Sequence, residues 1–383
     1  LECVTDYTLS GNDFEEAERL ELLSQLICQS EGSLIVIRSQ DGADFCATGE
    51  TSLINLTVNA SGSDPVDLSC LQEVTGDVII ENCEASSVDL SSLSTIGGQL
   101  YVGSNSDLAT LDLSSLETLN GNLEIRQNSD LESVDISSLG EIDGYLTLYQ
   151  NNSLEIADFS SLVDITEYLY LYSNSELESL YLDSLADVGG RIDVQQRGCQ
   201  VLSLPNLTSA TYLYIYYNYN TLTEVSIPSI TELDYIYSYY NYDNSAGLEN
   251  IDLSSLESTR YIEVRQNYAL ESISLPSLQD VEEHIQFEYN DALETLSLPS
   301  LQEAQTLNIY NNGDLETIDV SILDSLDYFN VYDNNSLYSV TAPNLECVTD
   351  YTLSGNDFEE AERLELLSQL ICQSEGSLIV IRS

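Results

Sequence analysis

The sequence predicts an all-β chain: a right-handed parallel β-solenoid of about 13 coils, with short α-helical caps at both ends. Three observations carry that expectation. A repeat of about 23 residues recurs along the chain, with coils beginning near Asn55, Asp77, Gln99, Asn122, Tyr145, Tyr168, Arg191, Tyr212, Tyr235, Tyr261, His284, Thr306 and Tyr328. Each coil opens on a period-two alternation of apolar and polar residues, which marks a strand with one buried face. Each then turns at a fixed polar position, so the coils stack in register.

Segment 168–190 shows the pattern. Leu169 and Leu171 lie on one face of the opening strand and Tyr168, Tyr170 and Tyr172 on the other. Asn174 makes a corner, Leu177, Leu180, Leu182, Leu185 and Val188 point inward around the turn, and Gly189-Gly190 closes it. Leu146/Leu148, Leu213/Ile215, Ile262/Val264, Ile285/Phe287 and Leu307/Ile309 continue the inward pair. Proline recurs at one coil position, in residues 205, 228, 276, 299 and 343, which suits a corner better than a strand centre.

Residues 345–383 are identical to residues 1–39. This suggests a window from a tandem array with a 344-residue period, an artificial duplication being the alternative. The expected organisation is 1–54 as the end of a preceding solenoid with helical cap and linker, 55–350 as solenoid, and 351–383 as the cap of the next unit. Stretch 11–28, repeated at 355–372, reads as an amphipathic helix with Asn12 (Asn356 in the copy) as N-cap.

Composition sets the partners. Nine basic residues face 66 acids, a net charge of −57, so nucleic acid and anionic membrane are repelled. No stretch approaches ~18 apolar residues, so no membrane span is expected. The Cys usage together with Asn-x-Ser/Thr sequons points to an oxidised, extracellular setting, secreted or at the cell surface. Cys3 with Cys28, and Cys347 with Cys372, would staple the caps, and Cys46 with Cys70 the start of the solenoid. Cys83 and Cys199 stand five coils apart, too far for a direct bond. Glycan is expected on Asn55, Asn59 and Asn206 rather than on the corner residues Asn151 and Asn334.

Segment 122–144, NLEIRQNSDLESVDISSLGEIDG, resembles the receptor L-domain family and its relatives among fungal cell-wall glycoproteins. The resemblance extends over roughly 55–350 and implies a leucine-rich solenoid. It implies little about function, because receptors and wall proteins share the pattern.

Two outward columns are candidates for function. The first is a tyrosine wall of Tyr145, Tyr149, Tyr168, Tyr170, Tyr172, Tyr212, Tyr214, Tyr216, Tyr235, Tyr237 and Tyr239. It would pack filaments laterally, stack on sugar rings, or simply stabilise its own strands. The second is a carboxylate column, Glu132, Glu155, Glu178, Glu224, Glu249, Glu271, Glu294 and Glu316, with Asp112, Asp135, Asp158, Asp252 and Asp319 a few residues on. Oxygen ligands at strand spacing suit Ca²⁺, with Glu132, Glu155, Glu178, Glu271, Glu294 and Glu316 the metal candidates; a solvated acidic face is the alternative. Asparagines at the corner read as a structural ladder, broken at Arg197 and begun by Cys83. His284 reads as an exposed strand-start residue beside Glu282 and Glu283. No catalytic motif is present, and catalysis is not expected. The sequence therefore points to a structural protein whose partners are further copies of itself, with glycan a secondary prospect.

Overall fold

The computed structural model describes residues 32–36, 38–196, 198–219, 221–243, 246–345 and 348–370, and these fold as a parallel β-solenoid. All 13 expected coil starts carry a strand of the first sheet. One further such strand precedes them, Leu34–Val36, and one follows, Asp350–Thr352. The chain divides into two compact units: Leu1–Gly189 with Arg197–Cys199, and Gly190–Gln196 with Gln200–Ser383.

Beyond the first, coils of the first unit have three strands each. Opening strands such as Leu123–Arg126 and Leu146–Tyr149 pair in parallel, with Leu123 opposite Leu146 and Ile125 opposite Leu148. A second sheet runs through Thr110–Asp112, Ser133–Asp135 and Ile156–Asp158, and a third through Thr118–Leu119, Glu141–Ile142 and Asp164–Ile165. Inward residues of all three sheets are fully buried, which places one apolar core inside the coils. Leu180 is half-buried, because Ser179–Tyr181 is the edge strand of its sheet.

The third strand meets the next opening strand at a tight corner occupied by Gly76, Gly98, Gly121 and Gly144. A Cβ on Gly121 would sit 2.9 Å from the backbone of Gly98, and one on Gly97 would meet the Thr75 carbonyl even more closely. A side chain at Gly97 or Gly121 would have to displace backbone, although the same corner admits Glu167 one coil after Gly144, its N–H bonded to the Gly144 carbonyl at 2.9 Å. Helix α1 (Ser39–Ala47), which the sequence pattern does not announce, takes the place of strand in the first coil and buries Phe45. The disulfide Cys46–Cys70 ties the end of this helix to the solenoid.

In the second unit the third strand and the next opening strand fuse. Glu232–Tyr239, Ser258–Arg265, Asp280–Glu288 and Glu303–Tyr310 each run eight or nine residues without a break. Asp234, Arg260, Glu283 and Gln305 stand where the first unit has glycine, and register shifts near Thr259 and Val281 absorb the bend. The insertion near Tyr242–Gly247 is a small antiparallel hairpin, with Tyr242 opposite Gly247.

One device is common to both units. At ten coil corners a buried asparagine takes part in a ladder along the stack. In the first unit Oδ1 of Asn128 accepts from the backbone N–H of Asn105 at 3.2 Å and from its Nδ2 at 2.9 Å. The Nδ2 of Asn128 donates to the Val102 carbonyl at 3.0 Å and to Asn151 Oδ1 at 3.1 Å. Every polar atom of the amide is satisfied, which is what permits its complete burial. The ladder runs Asn105, Asn128, Asn151, Asn174 in one unit and Asn218, Asn241, Asn267, Asn290, Asn312, Asn334 in the other. In each of these coils, Asn174's included, the preceding residue has a left-handed backbone, for example Gln127 at φ 55° and Tyr240 at φ 57°.

The structure corrects three expectations here. Asn356 is no helix cap: its Oδ1 accepts from the backbone N–H of Asn334 at 3.1 Å, and it forms the corner of the additional last coil. Gly355 holds the left-handed position before it, at φ 71°. Helix α2 (Glu360–Leu370) starts four residues later and buries Leu366, Leu367 and Leu370. The ladder variant near residue 197 is Gln196, which is buried and donates its backbone N–H to Asn218 Oδ1; Cys83 does donate its N–H to Asn105 Oδ1, at 2.9 Å. The expected staples involving Cys3, Cys28, Cys347 and Cys372 lie outside the described residues, as does the first copy of the helix.

Candidate functional site

The tyrosine wall is built by strand register. In the second unit Tyr212, Tyr214 and Tyr216 lie directly opposite Tyr235, Tyr237 and Tyr239. Their rings stack in pairs with centroids 4.9, 4.9 and 5.3 Å apart. Tyr261 extends the first column, 4.7 Å from Tyr235. Polar caps end the columns: Arg191 sits over Tyr214 at 5.2 Å, and His284 stands edge-on to Tyr261 at 4.7 Å. In the first unit Tyr149 meets Tyr172 edge-on at 6.3 Å, while Tyr168, Tyr170 and Tyr172 follow one another along one strand. Tyr145 donates its hydroxyl to Glu124 at 3.2 Å.

Ten of the eleven expected tyrosines are half-buried and Tyr168 is 40% exposed. Where ring stacks on ring, the second-unit columns offer solvent their edges and hydroxyls; on the far side Glu263 and Arg265 lie in register with Tyr237 and Tyr239. Burial raises Tyr145, Tyr214, Tyr237 and Tyr239 above the ordinary phenol value. Tyr237 is pushed up to about 12, first by burial and then by the Glu263 carboxylate. Tyr310, stacked on Tyr332 at 4.7 Å, is raised further, by burial and by its hydrogen bond with Glu288.

His284 is not an exposed strand start. Asp280–Glu288 is one continuous strand, so His284 lies mid-strand, half-buried, with Nε2 3.1 Å from Glu263 Oε1. Beside it Arg260 bridges Glu283 at 3.1 Å over an open groove of about 540 Å³ lined by Asp280, Glu282, Glu303 and Asp327.

The carboxylates separate into two kinds. The glutamates form columns along the backbone, with Glu155 N–H bonded to Glu132 O and Glu178 N–H to Glu155 O at 2.9 Å, and Glu271 N–H to Glu249 O at 2.8 Å. Glu132, Glu155, Glu178, Glu271, Glu294 and Glu316 are exposed, while Glu224 and Glu249 are half-buried. Among the described residues no three acidic, His or Cys side chains converge on a common point that would hold a metal.

The aspartates serve the turn instead. Asp112 Oδ1 accepts from the Ser114 N–H at 3.1 Å, and Asp135, Asp158, Asp252 and Asp319 make the same bond to the serine two residues on. Where proline replaces that serine, as at Pro205, Pro228, Pro276 and Pro299, there is no N–H to accept, and the preceding position is Ser203, Ser226, Ser274 or Ser297 rather than Asp. This exchange of D-L-S for S-L-P was legible in the sequence as a turn signal, although its aspartates read there as part of an acidic column.

Asn55, Asn59 and Asn206 are exposed, whereas Asn151 and Asn334 are fully buried with their amides engaged in the ladder. The Asn55 side chain also accepts from the Asp77 N–H at 3.0 Å. Cys83 is a buried free thiol, and Cys199 is buried. No described helix is long and apolar enough to cross a membrane.

No family model matches the chain, and no curated protein matches it. Among solved structures the chain resembles one described as the TLR13–ssRNA13 complex, at 13% identity over 96% of this chain and 82% of that one. The TM-score is 0.15, too low for that likeness to support an argument about fold or function.

Proposed function

We propose that this protein is a structural element of an extracellular filament, sheath or matrix, in which 344-residue units follow one another in tandem. The observation that carries this reading is the identity of residues 345–383 with residues 1–39. The architecture supports it. Coil after coil rebuilds the same inward apolar column and, in ten of them, the buried asparagine corner, and backbone ladders with satisfied buried amides resist extension. A net charge of −57 keeps such material hydrated and gathers cations from the medium without requiring a built site. The tyrosine edges and hydroxyls suit packing against another protein surface better than stacking on sugar, whose recognition needs open ring faces. The disulfide Cys46–Cys70 is consistent with an oxidising compartment.

Electron microscopy of native material tests the proposal. Fibres whose axial repeat equals one 344-residue unit are expected. Discrete particles that bind one ligand per unit would replace this reading with that of an adhesive ectodomain.

A further inference from the structure

We propose that the Tyr-x-Tyr pairs of the opening strands are sites of oxidative phenol coupling, joined within one chain as dityrosine by hydrogen peroxide and a peroxidase. The pairs are Tyr168–Tyr170 and Tyr170–Tyr172 in the first unit, with centroids 5.6 and 5.9 Å apart. In the second unit they are Tyr212–Tyr214 and Tyr235–Tyr237, at 6.2 and 6.0 Å.

Backbone spacing, rather than ring angle, distinguishes these pairs from the closer ones across coils: Tyr235 and Tyr237 lie at 10° between planes, so their rings must turn about the Cβ bonds to couple. The new bond joins the carbons ortho to the two hydroxyls, so the rings must meet edge to edge. Their Cβ atoms are then held apart by nearly the width of two rings. Alternate residues on a strand stand about 6.6 Å apart, which suits that span. In-register residues on adjacent coils stand only about 4.8 Å apart, too close for that span, whether their rings lie face to face as in the second unit or edge-on as at Tyr149 and Tyr172. Coupling them would force the strands apart and break the ladder. The ring edges concerned border solvent, within reach of a diffusing oxidant.

The chemistry closes without a further reagent. Peroxide, acting through the peroxidase, takes one hydrogen atom from each phenol and is reduced to two waters. The two phenoxyl radicals pair their unpaired electrons in an ortho–ortho carbon–carbon bond. The hydrogens on those carbons then pass to the oxygens, which restores two phenols. This depends on the folded chain alone and stands or falls apart from the filament reading.

The test is to treat the intact chain, dilute and monomeric, with a haem peroxidase and peroxide, then map dityrosine by fluorescence and peptide mass. Expected are intrachain links, seen as peptides lighter by two hydrogens, that carry both members of a Tyr-x-Tyr pair. Tyr170→Phe should abolish the links in 168–172 and leave those at 212–214 and 235–237. Links between coils, links only between chains, or equal yield from the chain in denaturant would each overturn the proposal.

Discussion

The two units turn the same corner by different means. The first stacks Gly76, Gly98, Gly121 and Gly144 where a side chain would collide with the coil below. The second runs strand into strand and carries Asp234, Arg260, Glu283 and Gln305 at those positions. Glycine makes a sharp corner at an entropic cost of roughly 0.5–1 kcal/mol per residue. The fused strand spares that cost and gains ladder bonds, but it must absorb the bend as a register shift. A solenoid therefore keeps its core while exchanging the geometry of one edge.

The largest expected effect falls on what the units share. Asn128→Ala and Asn290→Ala each orphan buried backbone and amide partners, at about 3 kcal/mol or more by chemical denaturation. A loss confined to one unit would show that the ladder is decorative in the other. Removing the Cys46–Cys70 link by paired serine substitution should cost about 3 kcal/mol. Hydrogen exchange should speed up in strands of the first unit, such as Leu56–Val58, and stay unchanged in Thr295–Ser297 of the second.

The corners separate the units more sharply. Gly121→Ala should destabilise the first unit by about 1–3 kcal/mol, because the contact it would make is with backbone. Arg260→Ala, at the matching place, should change stability by no more than ~0.5 kcal/mol, since what it loses is exposed: ion pairs to Glu282 and Glu283, a long 3.4 Å bond to the Tyr235 hydroxyl and a 5.8 Å approach to the Tyr261 ring. Equal effects would erase the distinction between the two corners.

Alkali should find the second unit first. Tyr237 ionises at about 12 when folded, above the ordinary phenol value near 10. The stability it lends is complete below about pH 10 and drains away as pH rises toward 12. Tyr214, Tyr239 and Tyr332 are raised as well, in each case chiefly by burial. Ultraviolet titration with proteolysis mapped to sequence should show the second unit opening before the first. One change is a gain: Gln127→Gly, at φ 55°, should raise stability by no more than about 0.5 kcal/mol once the flexibility of glycine offsets the relieved left-handed strain, read as an increase in Tm.

Much of this was legible in the letters. Period-two alternation and a coil of about 23 residues located every opening strand from Leu56 to Tyr328, because register is fixed wherever one face is buried. The missed parts have physical reasons. Ser39–Ala47 has little helical pattern and is held by the disulfide and by packing of Phe45. Asn356 precedes a helical stretch and so imitates a cap, yet its neighbour Gly355 marks the solenoid corner. The aspartates looked like a cation column because sequence records their spacing and not the serine N–H groups they satisfy. His284 looked terminal because the bend that places it mid-strand leaves no glycine to announce it.

The side chain of Asn356 ends its column in a particular way. Its Nδ2 donates to the Val331 carbonyl at 2.7 Å and turns back to its own Leu353 carbonyl at 3.2 Å, where earlier members reach forward to another asparagine. Among the described residues it is the last rung, and each rung before it makes the same demand on its successor. Insertion or loss of one whole turn should thus be tolerated, while a partial turn should not, so kindred chains ought to differ in length by integer steps.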